Sequence, residues 1–91
     1  MIVAFTPTSW EDFMDLHEKE KKLSLKVNRL IKEISRNPYE GTGLPEPLKH
    51  DYSGYWSRRI DRKNRLVYKM LGAENEEQTC VIISCRFHYG E

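Results

Sequence analysis

Leu23, Val27, Leu30, Ile31 and Ile34 recur at helical spacing, and Lys19, Lys21, Lys22, Lys26, Arg29 and Lys32 fill most of the intervening positions. One apolar stripe backed by cations is the pattern of a surface helix laid on a core. Asn37-Pro38 ends it, because the residue before a proline avoids the α region. Upstream, Trp10, Phe13, Met14 and His17 also recur with a helical period. This first helix is entered through Thr6-Pro7-Thr8-Ser9, where proline suits the first turn and a hydroxyl supplies the cap. Ile2-Val3-Ala4-Phe5 reads as a short strand.

After Pro38 the period changes. Residues 39–47 hold two glycines and two prolines, Gly41, Gly43, Pro45 and Pro47, and predict a loop. Tyr55 to Ile60 alternates Trp56, Arg58, Ile60 against Tyr55, Ser57, Arg59. Arg65 to Leu71 follows a tight turn at residues 61–64, so the two runs predict a hairpin. A polar, acidic connection over 72–77 leads to Thr79–Phe87, rich in β-branched and aromatic residues and read as the last strand. The order β-α-α-β-β-β predicts an α+β protein, two helices covering one face of an antiparallel sheet and leaving the other face for polar work.

At 91 residues the chain is expected to form one domain, residues 1–91. No stretch approaches the roughly 18 apolar residues of a membrane span, and the start lacks a signal-peptide core, so a cytoplasmic protein is expected. Cys80 and Cys85 are too few for a disulfide scaffold. An odd number of positions apart on one strand, they are expected to point to opposite faces as small core residues.

Charge becomes informative once it is divided. The net +1 hides a balanced first half, a basic middle and an acidic end. Residues 46–69 carry Lys49, Arg58, Arg59, Arg62, Lys63, Arg65 and Lys69 against Glu46, Asp51 and Asp61. An arginine-rich block points towards a polyanionic ligand.

Several residues can be read two ways. Arg59 and Arg65 sit on strands, where a guanidinium needs an acid or an anion beside it; the plainer alternative pairs them with Glu46 or Asp61 in a surface network. His88 and Tyr89 follow the last strand as an imidazole with chemistry or as an exposed and a packing residue. His50 suits a turn, and His17 a half-buried place on the first helix. No His, Cys or Asp set has metal-ligand spacing, and Gly41-Thr42-Gly43 lacks the lysine of a phosphate-cradling loop. A carboxylate (Glu46), cations (Lys49, Arg59, Arg65) and an imidazole (His88) together could cleave RNA by 2′-hydroxyl attack without a metal. They serve a plain RNA-binding domain equally well.

Longer motifs change that balance. Asn37-Pro38-Tyr39-Glu40-Gly41-Thr42-Gly43-Leu44-Pro45-Glu46-Pro47-Leu48-Lys49-His50, then Ser53-Gly54-Tyr55-Trp56-Ser57-Arg58-Arg59-Ile60, Asn64-Arg65-Leu66-Val67-Tyr68 and Cys85-Arg86-Phe87-His88-Tyr89 closely resemble the YoeB (Txe) family of type II toxins within the RelE/ParE superfamily. The resemblance spans nearly the whole chain. It implies the RelE-like, microbial-RNase-like fold and a ribosome-dependent endoribonuclease that cuts mRNA in the A site. Glu46 would be the general base, His88 the general acid and Arg65 the group that stabilises the pentacovalent phosphate. Lys49 and Arg59 would bind phosphate, and Tyr89 would position substrate. No cofactor or metal is implied.

The resemblance also implies partners: a partly disordered, YefM/Axe-like antitoxin, the ribosome with its mRNA, operator DNA only through the antitoxin complex, and a homodimer; no membrane is involved. Two departures stand out, the added Gly90-Glu91 and a long acidic loop at 72–78, expected to be a distal turn. The competing functions are a ParE-like inhibitor of gyrase, which would need none of Glu46, Arg65, His88 and Tyr89, and a non-catalytic RNA- or ribosome-binding inhibitor of translation.

Overall fold

The computed structural model describes residues 1–87. Strand β1 (Ile2–Phe5) leads into helices α1 (Pro7–Lys19) and α2 (Lys21–Arg36). Four strands follow: β2 (Glu46–Pro47), β3 (Trp56–Arg59), β4 (Arg65–Leu71) and β5 (Thr79–Phe87), with a 3₁₀ turn at His50–Tyr52 between β2 and β3. The sheet order is β1-β5-β4-β3-β2. The α+β class, the two helices and the β3–β4 hairpin match the sequence pattern.

The sheet differs from the expectation in two respects. It is mixed, since β1 runs parallel to β5, Ile2 opposite Thr79 and Phe5 opposite Ile82. The helical pair between β1 and the remaining strands is the crossover that a parallel pairing requires. It also gains a fifth strand inside the predicted loop, where Glu46 pairs with Ser57 and Pro47 with Trp56. Pro47 cannot donate to a ladder, and an edge strand is where a sheet tolerates it.

The core lies between the helices and one sheet face. Leu16, Val27, Leu30 and Ile34 pack against Ile60, Leu66, Tyr68, Cys80, Ile82 and Cys85. The α2 stripe follows its sequence pattern. The α1 stripe is rotated: Ser9 and Leu16 are fully buried, Phe13 packs at their side, and Trp10 is 48% exposed. Trp10 lies instead against the rings of Phe5 and Phe13 at the β1 edge. His17 is exposed rather than half-buried. Buried Ser9 is satisfied locally, because its hydroxyl donates to the Ile82 carbonyl at 2.7 Å and its N–H reaches the Thr6 hydroxyl that caps α1.

Cys80 and Cys85 do not point to opposite faces. Both lie in the one core cluster. Tyr68 sits opposite Ile82 while Val67 sits opposite Ser84, so one step along β4 matches two along β5. Such a bulge reverses the alternation and returns Cys85 to the helix side. Both thiols are free. Burial pushes each up to about 12.

Candidate nucleic-acid interface

Register decides which side chains meet. Residues directly opposite one another in a sheet project from the same face. Trp56 lies opposite Tyr68 and Arg58 opposite Leu66, and this set faces the helices. The alternate set therefore faces away. It holds Glu46 opposite Ser57, Ser57 opposite Val67, and Arg59 opposite Arg65. Glu46, Arg59 and Arg65 thus share the helix-free face across three adjacent strands. At normal strand spacing the Glu46 and Arg65 backbones are roughly 12 Å apart, a span that two long side chains and a phosphate fill.

Between these polar residues the face is closed, since Ser57 and Val67 are fully buried. Further along it, the Lys69 ammonium lies 5.3 Å from the centre of the Tyr55 ring. Lys49 is exposed in an extended conformation at the entry to the 3₁₀ turn. His50 occupies that turn with φ 56. Phe87, the last described residue of β5, lies opposite Arg65. His88 and Tyr89 lie outside the described residues. The 72–78 connection joins the far end of β4 from Arg65, about 20 Å along the strand, as expected for a distal turn. Asp61 has a place in the hairpin turn. Its carboxylate accepts from the Lys63 and Asn64 N–H groups at 2.9 and 2.6 Å and closes the β3–β4 turn.

Arg58 is the residue that motif reading passed over. Its parity with Trp56 and Ile60 was legible and places it on the core side, where it is fully buried. Nη2 donates to the carbonyls of Asn37 (2.6 Å) and Glu40 (2.9 Å), Nη1 to that of Thr42 (3.2 Å), and Nε to the Tyr68 hydroxyl (3.3 Å). The Glu33 carboxylate of α2 lies 3.4 Å from Nη1 and accepts the Thr42 N–H at 2.6 Å. Hydrogen bonds from Thr42, with help from Arg58, hold that carboxyl below the usual carboxylate range. Gly41 and Gly43 permit this seat. A Cβ at Gly41 would stand 1.9 Å from the Glu33 Oε1, and one at Gly43 3.0 Å from the Arg59 carbonyl.

At the far end of β5, Arg86 donates to Asp15 of α1, which also pairs with Lys19 at 2.9 Å. This ties the strand end beside Arg65 to the helical layer. Among the described residues no group of three or more His, Cys, Asp or Glu is placed to hold a metal ion. No helix there is long and apolar enough to cross a membrane.

Fold and face together define a small α+β protein that carries a carboxylate and clustered guanidinium groups on the open side of its sheet. The chain belongs to the YoeB-like toxins of bacterial type II toxin–antitoxin systems, whose family model matches residues 5–89. It is 49% identical to Toxin YoeB of Synechocystis over 98% of both chains. Among solved structures, a YoeB/ParE toxin from Agrobacterium tumefaciens superposes with a TM-score of 0.91 at 42% identity, covering 98% of this chain and all of the other. YoeB of Staphylococcus aureus, 40% identical over 98% of both chains, superposes at 0.85 as a dimer and at 0.83 in a heterotetrameric complex with the antitoxin YefM.

Proposed function

We propose that this toxin is a ribosome-dependent endoribonuclease that cleaves mRNA in the A site. Glu46 takes the proton of a ribose 2′-hydroxyl, and the alkoxide attacks the adjacent phosphorus. Arg65 stabilises the added negative charge, with Arg59 and Lys49 on the flanking phosphates. His88 protonates the leaving 5′-oxygen, leaving a 2′,3′-cyclic phosphate and a 5′-hydroxyl, and Tyr89 positions the substrate. Such acid–base groups typically contribute ~10²–10⁴-fold each, and preorganised cations often more. The sequence needs no cofactor for these steps.

The observation that carries this reading is the gathering of Glu46, Arg59 and Arg65 on one helix-free face, with Phe87 of β5 opposite Arg65. His88 follows Phe87 directly in sequence. Cations around an imidazole disfavour its protonated form, and a bound phosphate restores it, which gives a physical reason for dependence on a structured RNA surface. The whole chain acts as one cytoplasmic domain held inactive by a YefM-like antitoxin. The S. aureus complex supports that partner, and the S. aureus dimer supports pairing of two copies. Operator DNA is reached only through the antitoxin.

The test is translation of a defined mRNA on purified ribosomes, wild type beside Glu46→Ala and His88→Gln, with mapping of the cut ends. An A-site cut ending in a cyclic phosphate, lost in both variants and absent without ribosomes, is the expected result. Intact mRNA under blocked translation would replace the enzyme with a binding inhibitor. Normal translation would direct the work to gyrase.

A further inference from the structure

We propose that Arg58 is a positioning residue for Glu46: its buried guanidinium clamps the 37–45 segment and thereby sets where the catalytic carboxylate stands. The inference rests on the role proposed for Glu46 above.

Strand β2 is two residues long, exposed and at the sheet edge. So short an element does not fix its own register. What precedes it is an irregular segment with left-handed backbone at Gly41, Gly43 and Leu44. Carbonyls in such a segment have no ladder partners, and Arg58 supplies donors to three of them, at Asn37, Glu40 and Thr42. A guanidinium suits this task because its five N–H groups diverge in one rigid plane.

The clamp is then relayed to Glu46. The Arg59 N–H, next along the chain, donates to the Gly43 carbonyl at 2.6 Å, and the Leu48 N–H donates to Tyr55 at 2.8 Å. These two bonds pin the strap on either side of Glu46. The Tyr39 ring packs 4.8 Å from Trp56 and holds the outer turn of the segment. Consecutive arginines therefore divide the labour. Arg59 faces the open side with Arg65, and Arg58, one residue earlier, faces inward and holds the carboxylate's support.

A purely structural Arg58 and a positioning Arg58 predict different results. Arg58→Lys keeps the charge and loses the fork. Amide hydrogen exchange of residues 39–46 is expected to quicken in this variant while the β4 and β5 amides stay protected. Cleavage on ribosomes is expected to fall about 10²-fold in kcat, the scale of a small misplacement of a reacting group, with KM unchanged. In a Glu46→Gln background, which keeps measurable residual cleavage, the same substitution is expected to cause no further loss. Glu33→Gln, on the partly exposed carboxylate, weakens the clamp from outside the core and repeats the test if Arg58→Lys does not fold.

Unchanged exchange over 39–46, or an equal loss of cleavage with and without Glu46, overturns the proposal. If the wild type cleaves nothing on ribosomes, the proposed activity fails, and the exchange measurement still decides whether Arg58 sets the Glu46 strap.

Discussion

The hydroxyl of Tyr68, fully buried in the centre of β4, donates to the carbonyl of Pro38 at 2.6 Å, thirty residues upstream. The same oxygen accepts from Arg58. It joins the helix-side core to the segment that precedes Glu46. Tyr68→Phe fills nearly the same volume but leaves the Pro38 carbonyl and Arg58 Nε without that partner. A loss of about 1–3 kcal/mol is expected, read as a lower urea midpoint at unchanged slope. Burial raises the titration of this phenol, the adjacent Arg58 opposing it in part. The hydroxyl therefore stays a donor at neutral pH, and the contribution it makes is lost only as pH rises above about 10.

Gly41 adopts φ 123 against the Glu33 carboxylate. Gly41→Ala imposes both a disfavoured backbone conformation and a collision with a side chain that is itself engaged. A destabilisation of about 1–3 kcal/mol is expected. Gly54, which also has positive φ but has no atom within 4 Å of a Cβ, is the control. Gly54→Ala is expected to lose less than Gly41→Ala in the same thermal melt.

Asp15 bridges Lys19 and Arg86. The hydrogen bond from Lys19, aided by Arg86 and opposed by partial burial, lowers its titration below the ordinary aspartate value. A carboxylate with a depressed folded-state value stabilises above its unfolded value and loses that contribution as pH falls. The difference in denaturation midpoint between wild type and Asp15→Asn is therefore expected to be full at pH 7 and to shrink below about pH 4. A difference constant across this range would remove the ion pair as its cause.

Cys80 and Cys85 share the core, with titrations pushed by burial up to about 12. The thiolate is the reactive form, so both are expected to resist a thiol reagent in the folded protein at neutral pH. Both should react fully once guanidinium unfolds the chain. Rapid labelling of either in the native state would contradict the bulged register of β5.

Glu46 and Arg65 face the same side from different strands. Glu46→Gln keeps the shape but replaces the basic carboxylate with a neutral amide, and a fall of about 10²–10⁴-fold in ribosomal cleavage is expected. Arg65→Lys keeps the charge but not the planar fork that spans two phosphate oxygens. It too is expected to lose rate rather than ribosome binding, as measured by co-sedimentation.

Elements whose information is local are legible along the chain. Periodicity marked α2, alternation marked the β3–β4 hairpin, and motifs named Glu46, Arg59 and Arg65 before any of them had a place in space. What depends on pairing between distant segments emerges only in the fold. Strand β2 exists because Glu46-Pro47 finds β3, and no two-residue run carries a signal of its own. The α1 stripe turned towards Ser9 and Leu16, where the Ile82 carbonyl, at a β5 bulge, accepts from the Ser9 hydroxyl. That bulge, unreadable from alternation, put both cysteines on one face. Arg58 looked like one more basic residue in an arginine-rich block. Only the folded 37–45 segment supplies the carbonyls that satisfy a buried guanidinium, and they come from residues 16–21 positions away.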